Sequence, residues 1–274
     1  MNSYKKYLII SDLDGTLINS QHVISQNNLD AIEYFIKCGG TFAVATGRTI
    51  HNIRLHIKNL MLNGPCILYN GSALYDFEKE KFLNTEYLER YLLNEYIAYC
   101  MRTFKNMVVE IFTLEMMYII TPDENVDPYI LLEKQVFERS TLDEVSKIKW
   151  IKVLLSDTPE NLHKASRALA DFGLVTQLNS VFSHKYYLEL LKKDVSKGFG
   201  LKILKQLPEY RDKIVIAVGD YDNDIEMIKA ADVGIAMDNA RDCVKQVADK
   251  ITVNNDQDAL HDIIYNIIPS LSQA

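Results

Sequence analysis

The 274-residue chain has no run of the roughly 20 consecutive apolar residues that a membrane-spanning helix needs. Its first residues, Met1-Asn2-Ser3-Tyr4-Lys5-Lys6, contain no apolar core or small-residue cleavage site of a secretory signal. A soluble, cytoplasmic protein is therefore expected, without a membrane partner. Basic charge is also short. Lys and Arg number 30 against 37 Asp and Glu, leaving a net charge of −7, whereas a nucleic acid partner demands a basic face. Cysteine is sparse: Cys38, Cys66, Cys100 and Cys243 are widely spaced and form no CxxC pair. That spacing excludes a disulfide scaffold or a zinc ribbon and predicts free, reduced thiols. The six histidines show no metal-ligand spacing. His51 and His56 are five apart, not the four that would place two ligands on one helix face. Internal repeats and low-complexity tracts are absent as well.

What the chain does have is apolar content, 48% of residues, which suffices for a full core. It is deployed in short continuous runs separated by helical patterns. Tyr7-Leu8-Ile9-Ile10, Thr41–Ala45, Cys66–Tyr69, Ile214–Val218 and Val233–Ala236 read as buried strands. Between the first two, Ser25 can cap a helix whose apolar positions Leu29, Ile32, Phe35 and Ile36 follow helical spacing, with Gly39-Gly40 as its stop. A second helix is expected after Arg48, with Ile50, Ile53, Ile57 and Leu60 on one side. Continuous apolar strands alternating with helices imply a parallel sheet covered on both faces, a doubly wound, Rossmann-like α/β fold.

The middle of the chain has another grammar. From about residue 84 to 184 the order reads helix, strand, strand, helix, strand, helix, strand, strand. Val108–Phe112 and Met116–Ile120 form a hairpin around Thr113-Leu114-Glu115. Trp150–Leu155 is a strand, with Trp150 in the core. Thr158-Pro159 opens a helix that Gly173 ends, and Leu174–Val181 and Tyr186–Leu191 are the last pair. This is an α+β module, residues 85–187, inserted into a core made of 1–84 plus 188–274. In the core, Glu78-Lys79-Glu80-Lys81 reads as a solvated hairpin. Within the module, His184 and Lys185 mark a turn that could face a substrate, and Tyr186 and Tyr187 point to opposite faces of a strand.

Chemistry concentrates at the carboxyl ends of the core strands, where ligands bind in open α/β sheets. Asp12 and Asp14 close the first strand, Thr46-Gly47-Arg48 the second and Asp220 with Asn223-Asp224 the fourth, while Lys197 opens a helix. Two acids so close repel each other unless a cation or substrate compensates them. The set fits phosphoryl transfer through a covalent aspartyl-phosphate. Asp12 is the nucleophile. Asp14 protonates the leaving oxygen and then deprotonates water. Asp12, the backbone carbonyl of Asp14 and the Asp220 carboxylate supply the oxygen ligands that Mg²⁺ prefers. Lys197 neutralises charge on Asp12 and the phosphoryl group. The Thr46 hydroxyl and the Gly47 amide hold phosphoryl oxygens. Gly15 leaves room for the phosphate, and Asn223 and Asp224 orient the metal waters and the lysine from behind.

Four segments resemble the four motifs of the haloacid dehalogenase superfamily: Asp12-Leu13-Asp14-Gly15-Thr16-Leu17, Ala45-Thr46-Gly47-Arg48, Val195-Ser196-Lys197-Gly198 and Gly219-Asp220-Tyr221-Asp222-Asn223-Asp224. More narrowly the chain resembles the Cof-type sugar-phosphate and nucleotide phosphatases. Tyr69-Asn70-Gly71-Ser72-Ala73, Leu188-Glu189-Leu190 and Gly234–Ala240 are further matches, and the resemblance covers essentially the whole chain. It implies a Mg²⁺-dependent phosphatase of small phosphorylated metabolites with the module as a mobile cap. It also implies Leu13, Gly15, Gly47, Arg48, Asn70 and Asn223 as residues around the phosphate. Lys192 and Asp194 stand where many relatives have Pro and Gly, and Asp258-Ala259 where Gly is usual. These departures affect turns and remove no catalytic group. A sugar phosphomutase on the same fold and a non-catalytic phosphate- or metal-binding module are the competing readings. Binding alone does not require an acid/base residue at Asp14.

Overall fold

The computed structural model describes residues 4–122, 124–132 and 135–271. Met1 to Ser3 of the N-terminal stretch lie outside the described residues. The chain divides into two compact units, Met1–Thr85 with Ser196–Ala274, and Glu86–Val195.

In the first unit five parallel strands lie in the order Lys250–Ile251, Val233–Ala236, Ile214–Gly219, Tyr7–Ser11, Thr41–Val44. Every residue of Tyr7–Ser11 and Thr41–Val44 is buried, as continuous apolar runs in a sheet covered on both faces must be. The first strand has its chain successor, Thr41–Val44, on one side and the distant Ile214–Gly219 on the other. Strand order therefore reverses at its end, and a crevice opens there. The helix Gln26–Lys37 is capped by Ser25, whose Oγ accepts the Asn28 N–H at 3.2 Å, and it buries Ala31, Ile32 and Phe35.

Cys66–Leu68 departs from the expected sheet. It touches the parallel sheet through one bridge, Ala45 to Ile67, and otherwise pairs antiparallel with Ala73–Asp76, which pairs with Lys81–Thr85. The cause is local. Tyr69, Asn70 and Gly71 all have left-handed backbones (φ 52°, 54° and 101°) and fold the chain straight back. The Glu78–Glu80 stretch is exposed at the hairpin tip. Asp194 and Asp258, which replace glycines of the family pattern, also take left-handed backbones, φ 63° and 58°. Asp tolerates that region better than most residues. The Asp258 carboxylate also accepts hydrogen bonds from the Ser25 hydroxyl and the Asn27 amide, at 2.5 and 2.7 Å.

The second unit is a six-stranded sheet in the order Leu178–His184, Tyr187–Lys192, Lys152–Ser156, Val108–Phe112, Met117–Ile119, Glu138–Arg139. All pairs are antiparallel except the last. The helices Asn94–Thr103 and Pro159–Ala168 pack Tyr96, Ile97, Leu162 and Ala165 on one face, against Val109, Ile111, Val153 and Leu155. The alternate residues Val108, Phe112 and Leu154 pack with Met117, Ile119 and Ile130 in a second cluster. Trp150 is fully buried, its indole donating to the Val145 carbonyl at 2.7 Å.

Several expected boundaries shift. A cut at 187/188 falls inside the strand Tyr187–Lys192, which pairs with Leu178–His184 and Lys152–Ser156, so the second unit keeps its chain to Val195. The penultimate strand begins at Leu178, not Leu174, and Glu138–Arg139 adds a short edge strand. Trp150 pairs with Leu88 in an isolated bridge, and the strand proper begins at Lys152.

Gly71 is where the fold touches the site. A Cβ there would lie 1.9 Å from the Ser196 carbonyl oxygen and 2.4 Å from its carbon, main-chain atoms that cannot swing aside. Gly71→Ala is expected to destabilise the protein by about 2 kcal/mol or more, lowering the thermal midpoint by roughly 4–8 °C. A thermal melt matching wild type would refute this packing.

Candidate active site

Asp12 follows directly on the first strand. Its N–H donates to the Val218 carbonyl at 2.9 Å, so the strand pair itself sets its position. Asp12 is 5% exposed. Lys197 begins the helix Lys197–Gln206, where Ser196 accepts the Phe199 N–H and donates to Glu226. The Lys197 ammonium, itself buried, donates to Asp12 Oδ1 at 2.5 Å and to Asp224 Oδ1 at 2.7 Å. Asp224 Oδ2 accepts the main-chain N–H groups of Asp220 and Tyr221, at 3.0 and 3.2 Å. Asp220 Oδ1 accepts the Thr16 hydroxyl at 2.8 Å.

Burial alone would lower the Lys197 pKa, but the carboxylates of Asp12 and Asp224 outweigh it and hold the ammonium above the ordinary lysine value. Burial, with the neighbouring charges of Asp224, Asp220 and Asp14, pushes the Asp12 carboxyl well above the usual range against the pull of Lys197. Burial and the Asp224 charge push Asp220 up to about 7. One carboxylate oxygen each from Asp12, Asp220 and Asp224 lies within 4.8 Å of the others. Both Asp224 oxygens are engaged, whereas Asp12 Oδ2 and Asp220 Oδ2 accept no hydrogen bond from the described residues. Hard oxygen donors crowded with excess negative charge fit a divalent cation. Asp12 and Asp220 keep one oxygen each that could hold such an ion, while Asp224 is engaged by Lys197 and the main chain.

Asp14 has the opposite setting. Its side chain is 51% exposed, and Arg48 holds both oxygens, Nε to Oδ2 at 2.8 Å and Nη2 to Oδ1 at 2.7 Å. Crowding by protein would raise the Asp14 pKa; the Arg48 charge and hydrogen bonds outweigh it and keep the carboxyl below its usual value. Arg48 is in turn held by Asn52 and by His56 Nε2, the latter at 2.8 Å. Arg48 therefore grips the expected acid/base residue, not an open phosphate position.

The remaining expected residues gather around this centre in different ways. Thr46 is buried, and its Oγ1 accepts the Arg48 N–H at 3.1 Å, with Gly47 between them. Leu13 is fully buried, so its main chain alone remains for the site. Asn223 Nδ2 donates to Asn70 Oδ1 at 3.0 Å, and Asn70 Nδ2 is a buried donor with no partner among the described residues. Gly15, φ 81°, would place a Cβ 2.5 Å from Asp220 Oδ2, so its missing side chain makes room for a carboxylate. Sequence reasoning gave the bracing residues no role. Asn239 Nδ2 donates to the Gly15 carbonyl at 2.8 Å, and Asn255 Nδ2 to the Ile18 carbonyl at 3.1 Å. His56, expected only to lack metal-ligand spacing, stands four residues from Asn52 and eight from Arg48, and that spacing was the available signal.

The sequence model of haloacid dehalogenase-like hydrolases matches residues 9–264. The chain belongs to this family. Among relatives of the haloacid dehalogenase-like hydrolase are two 5-amino-6-(5-phospho-D-ribitylamino)uracil phosphatases of Bacillus subtilis. YcsE is 27% identical and spans 92% of both chains. YitU is 25% identical, over 93% of this chain and 95% of its own. A haloacid dehalogenase-like hydrolase structure from Bacteroides thetaiotaomicron superposes with a TM-score of 0.78 at 29% identity, covering 95% of this chain and 98% of that one. The chain is thus an enzyme of the hydrolase class, and phosphatases are among its named kin. Among its described residues no helix is long and apolar enough to cross a membrane.

Asp220 generates a pH prediction. It binds its proton more tightly folded, about 7, than at the ordinary value of 3.8. Its contribution to stability is therefore complete below about pH 4 and is lost as pH rises through 7. In EDTA, Asp220→Asn is expected to raise the thermal midpoint at pH 8 more than at pH 5. An equal change at both pH values, read by thermal denaturation, would contradict the shift.

Proposed function

We propose that the chain is a Mg²⁺-dependent phosphatase that hydrolyses small phosphomonoesters through an aspartyl-phosphate on Asp12. The observation that supports this most is the buried Asp12 carboxylate, gripped by Lys197 and set beside the Asp220 and Asp224 carboxylates. A desolvated carboxylate with an ammonium on one oxygen is positioned to attack phosphorus, because Lys197 carries the charge that the phosphoryl group brings.

In this reading an Asp12 oxygen forms the new P–O bond as the ester P–O bond breaks, and the alkoxide leaving group takes a proton from Asp14. Water then attacks the aspartyl-phosphate. Asp14 takes its proton, phosphate departs and the Asp12 carboxylate is restored. Arg48 keeps Asp14 ionised, the state a general base needs. For the acid step the Asp14 carboxyl has to leave the guanidinium. Asn70 Nδ2 and the Thr46–Gly47 segment supply donors for the phosphoryl oxygens. Bound Mg²⁺ on Asp12, Asp220 and the Asp14 carbonyl would neutralise charge between carboxylate and phosphate. The unit Glu86–Val195 is the cap in this reading and the source of selectivity. A phosphorylated ribitylaminopyrimidine belongs in the substrate panel on the strength of the Bacillus subtilis relatives.

The test is phosphate release from a panel of phosphomonoesters with Mg²⁺ or EDTA, wild type beside Asp12→Asn. Turnover is expected to require the metal and to fall by about ten-thousandfold or more in the variant. Turnover that survives in Asp12→Asn refutes the mechanism. Conversion of a hexose 1-phosphate to the 6-phosphate without phosphate release would make the enzyme a mutase.

A further inference from the structure

Arg241 lies outside the four catalytic segments, between the strand Val233–Ala236 and the short helix Asp242–Lys245. The proposed chemistry gives it no task, yet it grips three successive residues of the segment 219–224, which carries Asp220. Its main-chain N–H donates to the Asp220 carbonyl at 3.1 Å. Its guanidinium carbon stands 5.1 Å from the centroid of the Tyr221 ring. Its Nη1 donates to Asp222 Oδ2 at 2.6 Å. The other oxygen of that carboxylate, Oδ1, accepts the Cys243 thiol at 3.2 Å. Asp222 is therefore tied by both oxygens to residues 241 and 243.

The residues just before Arg241 hold the same crevice. The Met237 N–H donates to the Gly219 carbonyl at 3.1 Å, and Asn239 Nδ2 to the Gly15 carbonyl at 2.8 Å. Gly15 directly follows Asp14, whose carbonyl belongs to the proposed ligand set. One stretch, 237–243, thus clasps both chain segments that carry the oxygens for a divalent ion.

The segment 219–224 needs such a clasp because it places Asp220, Asp222 and Asp224 within five residues. Asp224 is satisfied from inside by Lys197 and by the N–H groups of Asp220 and Tyr221. Asp222 points the other way, and Arg241 is the cation paired with it. The Arg241 side chain is 48% exposed, so the pair adds little to global stability. What it ties down is another matter: groups that orient metal ligands from behind commonly account for tenfold or more in metal affinity.

We propose that Arg241 is a positioning residue for the metal site: by tying Tyr221 and Asp222 to the stretch 237–243, it holds the Asp220 carboxylate ready for a divalent cation. The inference rests on the reading that Asp12 and Asp220 hold Mg²⁺. Positioning and simple charge predict opposite signs. Arg241 is a positive group near a cation site, so Coulomb repulsion alone would make its removal strengthen metal binding. As a positioning residue its removal weakens metal binding.

The test uses the full-length chain without substrate and Mn²⁺ as probe, a hard ion suited to carboxylate oxygens, with free Mn²⁺ read by electron paramagnetic resonance. Arg241→Ala is expected to weaken Mn²⁺ binding by about three- to tenfold. Circular dichroism establishes that the variant is folded; Arg241→Gln, which keeps the stem over Tyr221, carries the same expectation and replaces it if it is not. Asp220→Asn is the control and is expected to weaken binding further. Mn²⁺ affinity equal to wild type or tighter in the folded Arg241 variant, with binding still dependent on Asp220, overturns this inference alone. Wild type that binds no Mn²⁺, or binds it as tightly as Asp220→Asn does, overturns the metal reading and this inference with it.

Discussion

The Lys197 ammonium is the contact on which the active site depends. It is buried and joins Asp12 and Asp224, with Asp12 185 residues away in sequence. Three carboxylates in one low-dielectric crevice draw up protons, and burial first and mutual repulsion second push Asp12 and Asp220 upward. Burying such a group is tolerable because each carboxylate has at least one hydrogen-bond donor. Asp224 takes two main-chain N–H groups besides the lysine, and Asp220 takes the Thr16 hydroxyl. The parallel sheet serves the same end, bringing the ends of Tyr7–Ser11 and Ile214–Gly219 side by side at the point where strand order reverses.

Asp12 and Asp14 are two residues apart and chemically unlike. One is desolvated and pressed upward in pKa among other acids; the other is half exposed and held down by a guanidinium. Environments that separate the pKa values of neighbouring carboxyl groups assign them different tasks. Asn52 and His56 hold the Arg48 guanidinium, and Arg48 in turn holds the Asp14 carboxylate.

Much of this was legible in the chain. The apolar runs before Asp12, Thr46 and Asp220 disclose buried strands because a central parallel strand has no solvent face to alternate against. Ser25 and Thr158 disclose helix starts because a hydroxyl at that position satisfies an otherwise orphaned N–H. The short strand Cys66–Leu68 was misassigned to the parallel sheet because its partner is chosen by the left-handed turn at Tyr69 to Gly71, and tyrosine gives no local sign of such a backbone. The unit boundary was misjudged for a related reason: Tyr187–Lys192 looks the same whether it pairs with one sheet or another, and only its register with Lys152–Ser156 and Leu178–His184 decides.

Residue types and their order along the chain determined the strand-end acids, the lysine at a helix start and the alternation that defines the fold class, because these are local consequences of periodicity and side-chain chemistry. Tertiary structure alone decided that Arg48 grips Asp14, that Asp224 is already engaged while Asp12 Oδ2 and Asp220 Oδ2 accept no hydrogen bond from the described residues, and that Gly15 yields its space to a carboxylate. It also decided that Arg241 meets the Asp222 carboxylate. Each of these is a meeting of groups far apart in sequence, and side-chain contact across such distances is set by packing rather than by any local pattern.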